Sequence, residues 1–298
     1  MLSQEIHTTE LGEPCQRKIQ LRLLGRSAGQ MTEALALGCL WHETAPRLHQ
    51  DQGVKFATSK AWDAVVDTMH REGRKPSTAV AEKVPEIIAT VEAWATQYVA
   101  RVVKEYTAGW KILGFEVPVR LTFDVDGEPA DFASHLDMLA RLPDGRLVFI
   151  DWKTGQDAPT VPYLARNPQF AAYSLAVARG SVLIGEDWIE MGEWPEAIWC
   201  HVRALAPYKR KTTTMDEQGN ETVAAAGEQR PIDRVMFRAM IGPEGERHII
   251  EELAINVRMR RAGLFPARPD PIGCMSCECR AACPVWNEEP IRENVRND

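Results

Sequence analysis

The spacing of apolar residues predicts a helical first third of the chain. Residues 15–26 and 32–48 repeat their apolar positions with the period of a helix. Residues 59–107 continue the pattern with few breakers, apart from a loop near Pro76 and a proline at position 85. We therefore expect two or three helices in that stretch, with Pro85 close to the start of one of them.

The pattern then changes to that of strands. Four segments have strand-like composition: 111–123, 132–142, 146–152 and 196–206. A turn separates the second segment from the third, because Pro143 fixes its own φ angle and Gly145 accepts a positive one. The two segments around this turn are predicted to form a β-hairpin.

Helical spacing returns after the hairpin. Residues 163–179 and 244–263 predict helices, the second ending at Gly263, and the polar stretch 209–230 predicts an exposed hairpin or loop. Helices followed by a mostly antiparallel sheet and further helices indicate a mixed α/β (α+β) fold. We expect one domain over 1–298, with 50–107 as a helical insertion.

Composition agrees with a folded, water-soluble chain. Hydrophobic residues make up 45% and charged residues 26%, and no apolar run approaches the roughly 20 residues of a membrane span. The amino terminus lacks the apolar stretch of a secretory signal, so we expect a cytoplasmic protein without membrane contact.

The formal net charge of −7 argues weakly against nucleic-acid binding, which uses local Lys and Arg. Basic clusters are nevertheless present: Arg17, Lys18, Arg22 and Arg26; Lys209 to Lys211; and Arg258, Arg260 and Arg261. Each is either a surface for phosphate or an ordinary solvated face.

The predicted hairpin carries two carboxylates and a lysine. Asp137 lies on its first strand, and Asp151-Trp152-Lys153 ends its second. Side chains two residues apart point to one face of a strand, and Asp137 can reach that face from the neighbouring strand. Two converging carboxylates suit a hard divalent cation, and a nearby ammonium can orient water or stabilise charge on a scissile phosphate.

This arrangement resembles the motif of the PD-(D/E)XK nucleases, and DWKTG at 151–155 resembles its RecB-type form. Further segments match in the expected order. The run 38–42 resembles the GxxxH motif, which ends here at His42. Gln169 and Tyr173 resemble the QxxxY motif on the helix after the catalytic strand, and Glu116 matches a glutamate of the first core strand.

The resemblance implies a restriction-endonuclease-like core and a division of roles. A magnesium or manganese ion would be held by His42, Asp137, Asp151 and the backbone carbonyl after Asp151. Lys153 would position or activate the attacking water. Gln169 and Tyr173 would contact the DNA backbone or support Lys153.

The function implied is that of a DNA exonuclease in recombination, repair or phage replication. Its partners would be DNA and a helicase, a recombinase or a single-strand annealing protein. One alternative is an endonuclease or a nuclease that processes CRISPR spacers. The other is a non-catalytic DNA-binding accessory protein that keeps the fold.

Four of the seven cysteines lie within ten residues, in the order Cys274, Cys277, Cys279 and Cys283. Such clustering in a cytosolic chain points to metal or iron–sulfur ligation rather than disulfides. A local site would use these four thiolates, for tetrahedral zinc or for an iron–sulfur cluster.

The iron–sulfur branch of RecB-like nucleases, which includes the AddB-like enzymes, implies a different ligand set. There one cysteine precedes the GxxxH motif and three follow in a carboxy-terminal CxxCxnC. The matching residues here are Cys15, Cys274, Cys277 and Cys283. The resemblance thus implies a 4Fe–4S cluster that joins segment 264–285 to Cys15, with Zn²⁺ as the alternative metal.

Overall fold

The computed structural model describes most of the chain, in thirteen stretches. They are residues 5–7, 10–11, 15–24, 31–71, 76–155, 161–203, 213–215, 221–223, 233–237, 243–267, 274, 277 and 279–287.

Eight α-helices are described: α1 Gln16–Leu23, α2 Glu33–His49, α3 Val54–Arg71, α4 Thr78–Tyr98, α5 Val161–Ala165, α6 Pro168–Arg179, α7 Pro243–Arg261 and α8 Pro284–Asn287. A π-helical segment, Val99–Tyr106, continues α4, and a 3₁₀ turn covers Arg280–Ala282. The described strands are β1 Ile6–His7, β2 Lys111–Val125, β3 Glu128–Arg141, β4 Leu147–Gly155, β5 Ser181–Ile184, β6 Asp187–Ile189, β7 Glu196–Arg203, β8 Thr213–Met215, β9 Glu221–Val223 and β10 Asp233–Phe237.

The main sheet is mixed, with strand order β10-β7-β4-β3-β2-β5-β6. All neighbouring pairs in this order are antiparallel except β4 and β7, which run parallel. The short β1 pairs in parallel with β3 at Phe132 and Ala133, beyond the part of β3 that pairs with β4. The sheet therefore opens between β3 and β4 near residue 137.

The two faces of the sheet bury separate cores. One face packs on α6 and α7 around Phe149, Phe170 and Leu253, and we call this the α6 core. The opposite face packs on α2, α3 and α4 around Trp41 and Trp152, and we call this the α2 core. The helices over residues 54–106 thus cover part of one face of the main sheet. Their interpretation as an insertion stays a prediction.

The mixed α/β fold with a central sheet flanked by helices confirms the predicted fold class. Two local expectations were wrong. The helix predicted over 163–179 is split, because Asn167 caps α6 through its side chain and Pro168 takes the first helical position. Pro85 lies well inside α4, which begins after the cap Ser77.

The polar stretch 209–230 is described only at β8 and β9, which pair as an antiparallel hairpin. In the described part of the chain, none of the helices combines the length and apolar character needed to cross a bilayer.

Candidate functional site

The centre of the site is a fork between β3 and β4. The ladder between these strands ends at the pair Met138 and Ile150. Beyond that pair, the side chain of Asp137 takes the place of a backbone partner, and its Oδ2 accepts a hydrogen bond of 2.5 Å from the Trp152 backbone N–H. Asp137 and Asp151 are thereby held on the two arms of the fork.

At this point the side chains of two neighbouring strands, β3 and β2, change the face of the sheet to which they point. On β3, Leu136 packs in the α6 core and Met138 in the α2 core, although strict alternation would put them on one face. On β2, Val117 packs in the α6 core and Phe115 packs against the α2 core. The residue between this second pair, Glu116, has a φ of 47°, in the left-handed region that non-glycine residues rarely adopt.

Three side chains come together where the strands change faces: those of Glu116, Asp137 and His42. The His42 Nδ1 lies 3.4 Å from Asp137 Oδ1 and 3.9 Å from Glu116 Oε1. One ligand atom from each of the three lies within 4.8 Å of the others, a spacing suited to one metal ion. Helix α2 delivers His42 by packing on β4, where a Cβ on Gly38 would lie 3.4 Å from Thr154 Oγ1.

The second carboxylate of the hairpin forms a buried ion pair. Asp151 is 2% exposed, and its Oδ1 accepts hydrogen bonds from Lys153 Nζ at 2.7 Å and Gln169 Nε2 at 3.3 Å. Gln169 Nε2 also donates to the Tyr173 hydroxyl at 3.0 Å. The QxxxY residues on α6 therefore contact the Asp151–Lys153 pair.

One atom of this pair is incompletely satisfied. Asp151 Oδ2 is buried and lies 2.7 Å from the Lys153 Nζ, but it receives no hydrogen bond from the described residues. The ammonium charge compensates the burial of this oxygen, and a ligand or water would complete its hydrogen bonding. This oxygen fits a bound cation or its water.

Burial and neighbouring charges raise the pKa values of Asp151 and Glu116. Burial, opposed by Lys153 and reinforced by Asp137, raises the pKa of Asp151 to about 6. Burial and then the neighbouring Asp137 raise the pKa of Glu116 to about 7, although half of the Glu116 side chain remains exposed. A divalent cation would favour the charged form of both groups.

The pKa values of His42 and Lys153 are also raised, but here the cause is the neighbouring carboxylates, which outweigh burial. Burial lowers the pKa of His42, but the charge and hydrogen bonding of Asp137 outweigh burial, so the net shift is upward. Burial likewise lowers the pKa of Lys153, and Asp151 and Asp137 outweigh it. Lys153 therefore stays an ammonium at neutral pH and can act through charge and hydrogen bonding.

The structure brings all the sequence-predicted active-site residues together but groups them differently from the predicted ligand set. The three-residue group consists of His42, Glu116 and Asp137. Asp151, expected as a ligand, pairs with Lys153 at the edge of this group. The ligand set remains a prediction, to which the geometry adds Glu116.

Sequence reasoning missed the ring of Trp152 and the residues that hold it. Trp152 is fully buried on the face opposite to Asp151, and its indole N–H donates to the Tyr98 hydroxyl at 2.9 Å. The His49 Nε2 lies 3.0 Å from the same hydroxyl. The only available signal was that His49 follows His42 by two helical turns on α2.

The cysteines of both ends of the chain line one pocket. Cys15, Cys274, Cys277, Cys279 and Cys283 contribute to its wall, together with Arg17, Lys18 and Arg280. Cys279 differs from the rest, because it is 1% exposed and its Sγ donates to the Lys18 carbonyl at 3.8 Å. The other four are partly exposed.

The third basic cluster, Arg258, Arg260 and Arg261, forms hydrogen bonds and ion pairs within the protein. Arg258 donates to Asp126 at 2.7 and 2.8 Å, and Arg261 donates to the carbonyls of Val125 and Pro129. Arg260 forms a buried ion pair with Glu10. These arginines hold the β2–β3 turn and the amino-terminal segment. Arg26 and Lys209 to Lys211 lie outside the described residues.

Comparison with known proteins agrees with the site. The model of the PD-(D/E)XK nuclease superfamily matches residues 8–284, and the chain belongs to that superfamily. Membership makes it a phosphodiester-hydrolysing nuclease of a class that uses Mg²⁺ or Mn²⁺.

Among solved structures, the crystal structure of SSO0001 is similar over 97% of this chain and 89% of its own. The sequence identity is 13% and the TM-score 0.44. No curated protein matches the sequence.

Proposed function

We propose that this chain is a DNA exonuclease that degrades DNA from its ends, in recombination, repair or phage replication. The observation that carries the proposal is the convergence of His42, Glu116 and Asp137 beside the buried Asp151–Lys153 pair. The RecB-type form of the motif, DWKTG, supports action on DNA ends.

His42, Asp137 and Asp151 would hold the Mg²⁺ or Mn²⁺ ion, and Glu116 would join them. When bound, such an ion lowers the pKa of a water and neutralises charge on the phosphate. The fit rests on the clustered ligand atoms of His42, Glu116 and Asp137, which are the nitrogen and oxygen donors that such an ion accepts. The chain's own residues then have to orient the water and stabilise the pentacoordinate phosphate.

Lys153 would orient the attacking water and stabilise charge on the phosphate. Its raised pKa argues against a role as the base that removes the proton, since it stays protonated. Gln169 fixes Asp151, and Tyr173 supports Gln169 through its hydroxyl. Both residues would keep the lysine aligned while DNA is bound.

The mode of action can be tested with end-labelled linear DNA and covalently closed circles of the same sequence, in Mn²⁺. We expect loss of linear DNA and survival of circles. Equal cleavage of circular and linear single strands would favour the endonuclease or spacer-processing alternative. No cleavage of any substrate would favour the non-catalytic accessory protein. A helicase, recombinase or annealing protein as partner remains a proposal.

We further propose a 4Fe–4S cluster held by Cys15, Cys274, Cys277 and Cys283. These four line one pocket, whereas Cys279 is buried against Lys18 and is left out of the set. The resemblance of the cysteine pattern to the iron–sulfur branch of RecB-like nucleases favours the cluster, and tetrahedral zinc remains the alternative.

A further inference from the structure

Trp152 contacts each member of the proposed metal group or its immediate neighbour. Its backbone N–H donates to Asp137 at 2.5 Å, and its ring meets the His42 ring edge-on at 6.2 Å. It also stacks on Phe115, the residue before Glu116, with 6.4 Å between centroids and 21° between planes. A change in the position of this indole would therefore displace the metal group.

Two residues of the helical region, Tyr98 on α4 and His49 on α2, hold the Trp152 indole in place. Its N–H is a donor only, so the Tyr98 hydroxyl must accept the 2.9 Å hydrogen bond. The hydroxyl proton then needs an acceptor, which the His49 Nε2 provides at 3.0 Å. His49 also stacks on Trp152, with 24° between planes.

The direction of this chain of hydrogen bonds is fixed by a neutral imidazole. Burial lowers the pKa of His49 to about 4, so the ring is uncharged at neutral pH. Its Nε2 can then act as the acceptor while Nδ1 carries the proton. Tyr98 is fully buried, and α4 gives way to the π-helical segment directly after it.

We infer that Tyr98 is a positioning residue for the metal group, acting through Trp152 with His49 as its acceptor. The inference rests on the proposed metal-dependent function. It assigns to the helices over residues 54–106 a part in aligning His42, Glu116 and Asp137. Outer contacts that orient metal ligands are commonly worth about 10- to 100-fold in metal affinity or activity.

The decisive measurement is calorimetric titration of the full-length protein with Mn²⁺ alone. Tyr98→Phe removes the hydroxyl and keeps the ring that packs on Trp41 at 5.0 Å. We expect Mn²⁺ affinity to fall roughly tenfold or more, with a fall in kcat and little change in KM for DNA. Tyr106→Phe is the matched control, since Tyr106 packs on Trp110 and has no described contact with Trp152.

A double-mutant cycle separates positioning from general loosening. In a Trp152→Phe background, which lacks the indole N–H, Tyr98→Phe should have little further effect on Mn²⁺ affinity. Unchanged affinity in Tyr98→Phe, or a full additional loss in the Trp152→Phe background, would overturn the inference. If Tyr98→Phe does not fold, His49→Leu removes the acceptor and should weaken Mn²⁺ binding, whereas unchanged affinity in that variant would overturn the inference.

The titration also keeps this inference distinct from the proposed function. Mn²⁺ binding by the wild type without cleavage of DNA would contradict the nuclease and leave the Tyr98 measurement valid. Cleavage by the wild type with full Mn²⁺ affinity in Tyr98→Phe would contradict only the inference.

Discussion

Glu116 combines an unfavourable backbone with an unfavourable charge. A glutamate in the left-handed region is strained, and strain of this kind costs about 1–3 kcal/mol. Burial, and then the neighbouring Asp137, raise the pKa of its carboxyl to about 7. Both features are accounted for if the carboxylate is held in place for a cation.

The raised pKa of Glu116 predicts how stability depends on pH in the metal-free protein. The folded state retains the Glu116 proton at pH values where the unfolded chain has lost it. This contribution is therefore complete below the ordinary pKa of 4.5, declines as pH rises from there, and is lost once pH has passed about 7. Glu116→Gln removes the titration. We expect the melting temperature of the wild type, relative to Glu116→Gln, to fall between pH 5.5 and 8 in a chelating buffer.

Thermal melts of both proteins across this range check the prediction. Mn²⁺ at pH 8 should raise the melting temperature of the wild type more than that of the variant. Parallel pH curves for the two proteins would show that Glu116 is not perturbed.

Glu116 separates the features of the site that could be predicted from the sequence from those that could not. The spacing within DWK and the order of the motifs predicted which side chains gather, because strand alternation and helical turns are local rules. No local rule places a glutamate at positive φ, so the exchange of faces at Glu116 was not predictable. Helical spacing predicted a helix around Tyr98, but the contact with Trp152 depends on packing between distant segments.

At the scale of elements, α6 is held to the sheet by a close approach at its end. Gly180 joins α6 to β5, and a Cβ there would lie 2.0 Å from the Arg120 carbonyl oxygen. The helix therefore sits against β2 at a distance that only glycine allows. The prediction of one helix over 163–179 missed the break at Asn167, which lets α6 start afresh and present Gln169 to Asp151.

Gly180→Ala should therefore move α6 and lower stability. We expect a loss of about 1–3 kcal/mol in the free energy of unfolding, as for other forced overpacking. Urea unfolding of the variant measures it. Gly53→Ala is the control, because its Cβ would meet no atom within 4 Å. Equal stability of Gly180→Ala and wild type would mean that the junction relaxes freely.

At the scale of the whole molecule, the two ends of the chain are joined. Arg17 donates its backbone N–H to the Pro266 carbonyl, and Arg260 on α7 pairs with Glu10. Cys15 and the carboxy-terminal cysteines also line one pocket. A cluster bound there would close nearly the full length of the chain and restrict the unfolded state.

The proposed ligand set makes opposite predictions for two cysteines. Cys15→Ser should lose iron and sulfide and lower the thermal midpoint by several degrees, since each kcal/mol is worth about 2–4 °C at this size. Cys279→Ser should keep the cluster, because its thiol donates to the Lys18 carbonyl instead. Iron, sulfide and zinc analysis of anaerobically purified proteins measures this. A cluster that survives Cys15→Ser but not Cys279→Ser would support the local four-cysteine site.

The central claim is that this chain cleaves DNA through a metal site completed by Lys153. The most direct test compares wild type, Lys153→Ala and the exposed control Lys55→Ala on end-labelled linear DNA with Mn²⁺, and with chelator. We expect cleavage by wild type and Lys55→Ala that requires the metal, and a loss of roughly 100- to 1,000-fold in Lys153→Ala. Cleavage by Lys153→Ala at the wild-type rate, or by wild type in chelator, would contradict it.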